Sequence, residues 1–133
     1  MNIALLAHDN RKELMVQFCI AYCGVLARHS VCATATTARF VSEATGLPVT
    51  PYLSHAQGGV SQISARISYN ELDLVLFFSD PSTDDNGDVN EVARACDRYN
   101  VPFASNAATA EALVLALRRG DLDWRELVNP KKK

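Results

Sequence analysis

The chain has 133 residues, enough for one domain that buries a sizeable core without a disulfide or metal staple. Hydrophobic residues make up 48% and charged residues 21%, the balance of an ordinary globular domain rather than of a disordered or membrane-embedded chain. A formal charge of −2 excludes the basic face that nucleic-acid binding requires, and Lys131-Lys132-Lys133 reads as a short solvated tail.

Ile3–Ala7 is a short continuous apolar run, the pattern of a strand buried on both faces. Asn10 and Glu13 have the spacing of a capping box, which predicts a helix to about Ala27. Val31–Ala33 is the second strand. Thr37 then caps a helix to Thr45, closed by Gly46. Val49–Leu53 is a third strand, and Pro51 assigns it to an edge. Gly58-Gly59 opens a helix over Val60–Tyr69. Leu72–Phe78 is the most apolar run and the best central strand. After a polar loop over Asp84–Asp88, Asp88 and Glu91 make a second capping box for a helix to about Tyr99. Val101–Ala104 is the fifth strand. A helix over Thr109–Arg118 ends at Gly120, and the tail has one apolar anchor, Trp124.

This alternation predicts a single α/β domain of three layers, residues 1–120 with a tail at 121–133, built on a mostly parallel five-stranded sheet flanked by helices. No apolar run reaches the length of a membrane span and no signal-peptide pattern opens the chain, so a cytoplasmic protein with no membrane partner is expected. Cys19, Cys23, Cys32 and Cys96 are then reduced thiols. Cys19 and Cys23 share a helix face but lack further ligands at metal spacing, so no metal site is expected.

Each predicted strand stops at a small polar cluster, and in an open parallel sheet all these strand ends lie on one edge, where ligands bind. The clusters are His8-Asp9-Asn10-Arg11-Lys12, Thr34-Ala35-Thr36-Thr37, Ser54 through Gly59, Ser79-Asp80-Pro81 and Ser105-Asn106. Hydroxyls and backbone N–H groups at a helix start suit a phosphate, paired glycines let a backbone approach it, and Lys12 adds a compensating charge. Taken singly, each motif has an ordinary structural explanation. Thr37 suffices as a cap, the glycines as turn residues, His8-Asp9 as a hydrogen-bonded pair and Asp88 as a cap. Asp80, at the mouth of a buried strand, is the strongest single candidate for a functional carboxylate.

Taken in order, these residues resemble the methylglyoxal synthase family. Leu6-Ala7-His8-Asp9 with Lys12 looks like the family's opening motif. Ala33-Thr34-Ala35-Thr36-Thr37, Ala44-Thr45-Gly46-Leu47, Ser54 with Gly58-Gly59, Phe77-Phe78-Ser79-Asp80-Pro81 and Ala104 through Ala110 match further blocks, over about residues 2–113. The family also resembles the regulatory domain of carbamoyl phosphate synthetase. The resemblance implies conversion of dihydroxyacetone phosphate to methylglyoxal and phosphate without metal or organic cofactor. A carboxylate takes a carbon-bound proton, an enediolate forms and phosphate leaves. It further implies that Lys12, Thr34, Thr36, Thr37, Ser54, Gly58, Gly59 and the backbone of His55 hold the phosphate. His8, Asp9 and Asp80 would line the reacting end, with Asp88 near another family aspartate. Homo-oligomers, typically hexamers, are implied as well.

The chain departs from that pattern at the chemical end. Val60 stands where the family has its proton-abstracting aspartate, at a helix start expected to face the pocket. Asn86-Gly87 occupies the stretch of a family histidine that polarises the substrate oxygens. His55 replaces a glycine of the phosphate turn, and Ala35 another glycine. The expectation from sequence is therefore a protein that binds a small phosphorylated ligand or inorganic phosphate as a sensor or regulatory module, with lyase activity weak or lost. The alternative is an active synthase whose base is relocated to Asp80, Asp9 or His55. A third reading is an oligomeric scaffold with a vestigial pocket.

Overall fold

A computed structural model describes residues 1–83 and 87–128. Five strands form one sheet: β1 (Asn2–Ala7), β2 (Ser30–Ala33), β3 (Val49–Pro51), β4 (Leu74–Phe78) and β5 (Phe103–Ala104). Their order is β3-β2-β1-β4-β5 and every ladder is parallel. The helices are α1 (Lys12–Ala21), α2 (Cys23–Leu26), α3 (Ala35–Thr45), α4 (Gly59–Ser68), α5 (Gly87–Tyr99), α6 (Ala107–Arg119) and α7 (Trp124–Val128). The architecture is the three-layer α/β fold expected from sequence.

Strand periodicity divides the core in two. On β1, Ile3, Leu5 and Ala7 join one apolar cluster with Met15 and Phe18 of α1, Val41 of α3 and Val114 of α6. Ala4 and Leu6 point the other way, toward Ile63 and Ile67 of α4 and Val92 of α5. Alternation of side chains across the pleat produces this split, and burial on both faces explains why β1 and β4 read as unbroken apolar runs. Pro51 lies on the edge strand β3, where its missing N–H costs no ladder bond.

Several helix starts differ from their predicted positions, and for Asn10 and Asp88 the expected capping side chain is engaged elsewhere. Asn10 caps nothing. It sits in a 3-10 turn (Asp9–Arg11), and its amide donates to Asp80 Oδ2 at 2.6 Å. The first helix breaks at Tyr22 (φ −111°, ψ 21°) instead of running to Ala27. The third begins at Ala35 with Thr34 at its N-cap, so Thr37 lies inside it. Asp88 is likewise in the first turn of α5 and pairs with His55, while Glu91 accepts from Ser64. Part of the predicted acidic loop, residues 84–86, lies outside the described residues. Asn106 caps α6 by accepting from Thr109 N at 2.9 Å, which starts that helix at Ala107. Gly46 and Gly120 end α3 and α6 in the left-handed conformation, φ +76° and +83°.

The anchor of the C-terminal segment is not Trp124, which is 46% exposed, but Leu122 and the guanidinium of Arg125. Arg125 is 1% exposed. Its Nε lies 3.6 Å from Asp73 Oδ1, and its other nitrogens donate to the carbonyls of Asn100 and Leu72. Asp73 Oδ2 also accepts from Asn2 N at 2.7 Å.

All four cysteines are free thiols. Burial pushes Cys19 and Cys96 up to about 12 and raises Cys32. The thiolate is the reactive form. Cys23 alone among them is only half-buried. A disulfide-exchange reagent at pH 8 should therefore label Cys23 rapidly in the native protein and all four after unfolding. Fast labelling of Cys19, Cys32 or Cys96 without denaturant would contradict this packing.

Candidate functional site

The site lies at the C-terminal ends of β1 and β4. These adjacent strands continue in opposite directions across the sheet, and that divergence opens a crevice. Ala7 is paired with Phe78 at the end of the ladder, and His8 N donates to Phe78 O at 3.0 Å. His8 and Asp80 thereby emerge side by side. A hollow of about 390 Å³ is lined by Ala7, His8, Asp9, Asn10, His55, Asp80 and Thr83.

Asp80 is heavily engaged. Besides Asn10, its carboxylate accepts from Ser82 N at 2.9 Å and Ser82 Oγ at 2.7 Å. The Ser82 hydroxyl and N–H, helped by Asn10 and Arg11, hold its carboxyl below the usual value. Such an acceptor stays charged and is a weak base. Asp9 is similarly held down, first by its hydrogen bond with Lys12, whose Nζ is 2.5 Å from Asp9 Oδ1.

The two histidines are fixed in complementary states. His8 Nδ1 accepts the Asp80 N–H at 2.8 Å, so this nitrogen is bare and the neutral ring carries its proton on Nε2. His55 Nε2 faces the Asp88 carboxylate, which only accepts, so Nε2 carries a proton there and in the neutral ring Nδ1 is the acceptor. Both rings stand edge-on to Phe77, with centroids 5.3 and 6.2 Å away at 74° and 73°. One aromatic side chain at the end of β4 thus braces a donor imidazole and an acceptor imidazole. From sequence, the backbone of His55 was expected to hold phosphate, and its side chain was one of three candidates for a relocated base. The side chain reaches Asp88 in the first turn of α5 and stands beside Phe77 of β4.

The remaining candidates lie outside the lining of that hollow, at the start of α3, in the Ser54–Gly59 turn and on α1. Thr34 is 4% exposed at the α3 N-cap. Thr37 is 1% exposed, and its Oγ1 has no hydrogen-bond partner among the described residues. A buried orphan hydroxyl is costly, and here it sits at a helix start suited to an anion. Ser54 O accepts from Gly59 N at 2.9 Å, which closes the second turn, and Gly58 adopts φ +98°. A Cβ on Gly59 would lie 2.0 Å from Leu53 O and 3.0 Å from Thr34 Cγ2. This glycine presses the two turns together. Lys12 and the exposed Thr36 face a second hollow, with Phe40 and Val16, and Asp9 borders both hollows.

Val60 does not face the hollow. It is 3% exposed in the cluster with Leu6, Ile63 and Phe77. The tight seat of Gly59 against Leu53 turns the next residue under the sheet. Asn10 was legible from sequence as a cap and as a member of the His8–Lys12 cluster, and Thr83 gave no signal at all.

A family model described as the MGS-like domain matches residues 15–105. A methylglyoxal synthase of Caldicellulosiruptor saccharolyticus is 55% identical, with 98% of this chain and 94% of that protein covered. One of Geobacillus thermodenitrificans is 48% identical, with 100% and 94% covered. The crystal structure of methylglyoxal synthase from Elizabethkingia anophelis superposes with a TM-score of 0.80 at 34% identity, over 85% of this chain and 76% of that one.

Proposed function

The chain belongs to the methylglyoxal synthase family, and we propose that it is a working enzyme that converts dihydroxyacetone phosphate to methylglyoxal and inorganic phosphate. The observation that carries this reading is 55% identity to a methylglyoxal synthase along nearly the whole of both chains. The sensor with lost activity, expected from Val60 and the unmatched histidine, has no such support. The comparisons favour the active alternative.

In this reading the phosphate sits against the starts of α3 and the Ser54–Gly59 turn. Thr34, Thr37 and Ser54 offer hydroxyls, Gly58 and Gly59 open the backbone, and Lys12 leaves Asp9 to pair with the anion. The Thr37 hydroxyl gains the partner it lacks. His8 Nε2–H donates to the central oxygen of the substrate, where charge develops as the enediolate forms, and Asp80 keeps that ring in register through its own N–H. The chemistry needs no electron carrier, because the net change is proton transfer and loss of phosphate. The reading includes a cytoplasmic homo-oligomer, in keeping with the exposed Leu14, Ile20 and Phe40 on the outer surfaces of α1 and α3. Light scattering after size exclusion tests that part.

The central test is a coupled assay in which methylglyoxal and phosphate appear in equal amounts. A protein that binds phosphate but forms neither product would return the sensor reading. Binding is tested separately. Millimolar phosphate in low-salt buffer should raise the melting temperature by mass action. Lys12→Ala should weaken phosphate binding about 10- to 100-fold, the loss of a charge-assisted hydrogen bond. An unchanged phosphate shift in Lys12→Ala would remove that lysine from the phosphate site.

A further inference from the structure

We propose that His55, oriented by Asp88, is the residue that takes the carbon-bound proton in the reaction assigned above, an inference that rests on that assignment. A base for this step needs an unprotonated acceptor beside the reacting end. Four candidates fail on geometry. Asp80 already accepts from Asn10 and twice from Ser82. Asp9 has a fully exposed side chain, so it stays solvated and weakly basic once Lys12 has turned to the anion. The acceptor nitrogen of His8 is occupied by Asp80 N–H. Val60 has no acceptor and is packed in the core. His55 remains: it lines the hollow with His8, Asp9, Asn10, Asp80 and Thr83, and with Nε2–H committed to Asp88 the neutral ring has Nδ1 as its acceptor.

The pairing with Asp88 is itself informative. It joins a residue of the Ser54–Gly59 turn to the first turn of α5, two segments 33 positions apart, with both side chains about one-third exposed. A carboxylate on the far nitrogen fixes the ring orientation and stabilises the imidazolium that forms when Nδ1 takes a proton. The titratable groups that line the hollow with His55 are His8, Asp9 and Asp80. None of them donates to His55 Nδ1 among the hydrogen bonds of the described residues.

The step balances as follows. Nδ1 takes the proton from the hydroxymethyl carbon, and the C–H pair becomes the C=C bond of an enediolate. A proton shifts from the terminal to the central oxygen. The terminal oxygen re-forms a carbonyl, the C=C pair moves one bond along, and the C–O bond to phosphate breaks with its pair on the phosphate. The imidazolium returns its proton to the departing phosphate, which leaves as hydrogen phosphate. The remaining enol tautomerises to methylglyoxal. His55 is suited to both transfers because it belongs to the turn assigned to the phosphate.

The test compares the parent, His55→Gln, His55→Ala and Asp88→Asn, each checked for folding by its melting curve and for phosphate binding by its thermal shift. His55→Gln should lower kcat by about 10²- to 10⁴-fold while KM and the phosphate shift stay near parental values. Added imidazole should restore part of the turnover of His55→Ala, and Asp88→Asn should lower kcat by a smaller factor. A parental kcat in His55→Gln overturns the inference and leaves the synthase reading intact. A loss that imidazole does not rescue assigns His55 a structural role and overturns it too. A parent that forms no methylglyoxal overturns the synthase reading and this inference with it.

Discussion

Gly59→Ala should cost about 3 kcal/mol of stability and abolish phosphate binding, because a methyl group there meets backbone at closer range than at Gly24, Gly46, Gly58 or Gly120. The added carbon would lie 2.0 Å from Leu53 O and 2.9 Å from Leu53 C. Both are backbone atoms of the segment that follows the edge strand, so no side-chain rotation relieves the clash. The start of α4 must separate from the end of β3, and the Thr34 methyl, 3.0 Å away, must move with it. The two turns assigned to the phosphate then lose their mutual position. A melting temperature lower by roughly 10 °C is expected for a domain of this size. Gly24→Ala is the matched control. Nothing lies within 4 Å of its Cβ, and its helical setting predicts a gain of about 0.5–1 kcal/mol. Equal stability of the two variants would show that the contact at Gly59 is not tight.

Arg125→Met should be comparably damaging by a different route. The methionine matches the length of the aliphatic stem but removes the guanidinium that lies against Asp73. Breaking a buried pair from one side costs about 3–5 kcal/mol, because the remaining charge is left in an apolar surround. The carbonyls of Asn100 and Leu72 lose donors in the same substitution. Adding Asp73→Asn should recover part of the loss, but not all, because the two carbonyls stay unserved. Urea unfolding of the single and double variants measures the coupling. Additive losses would mean that Arg125 and Asp73 do not interact.

Why some of this could be read from sequence and some could not follows from the distances involved. The strands were legible because burial on both faces leaves unbroken apolar runs such as Leu74–Phe78. The ends of α3 and α6 were legible because Gly46 and Gly120 supply a backbone conformation that few other residues adopt. Starts of helices were misplaced wherever a capping residue had a stronger partner far along the chain. Asn10 is 70 residues from Asp80, and Asp88 is 33 from His55. No local pattern encodes such a pairing. Gathering polar clusters at one sheet edge follows from parallel topology alone, so the members of the site could be named. Which nitrogen of each histidine is free could not, since it depends on those distant partners. Val60 was misjudged for a related reason: its orientation is decided by the seat of Gly59 against Leu53. Arg125 escaped notice because a lone arginine in a polar tail looks solvated until Asp73 is found beneath it.

The order of strands also carries a consequence for synthesis. From β1 the sheet grows first toward β2 and β3, then on the opposite side toward β4 and β5. While the chain emerges from the ribosome, β1 keeps one bare edge until residue 78 has been made. Asp73 itself waits 52 residues from its own synthesis for Arg125. At roughly 5–20 residues per second that wait lasts about 3–10 seconds. During it a nascent chain whose sheet is completed at residue 104 holds the Asp73 carboxylate with its bond from Asn2 N but without the Arg125 guanidinium. Final closure of the domain is thus reserved for an arginine added after every strand is in place, which makes completion of the fold an event late in translation.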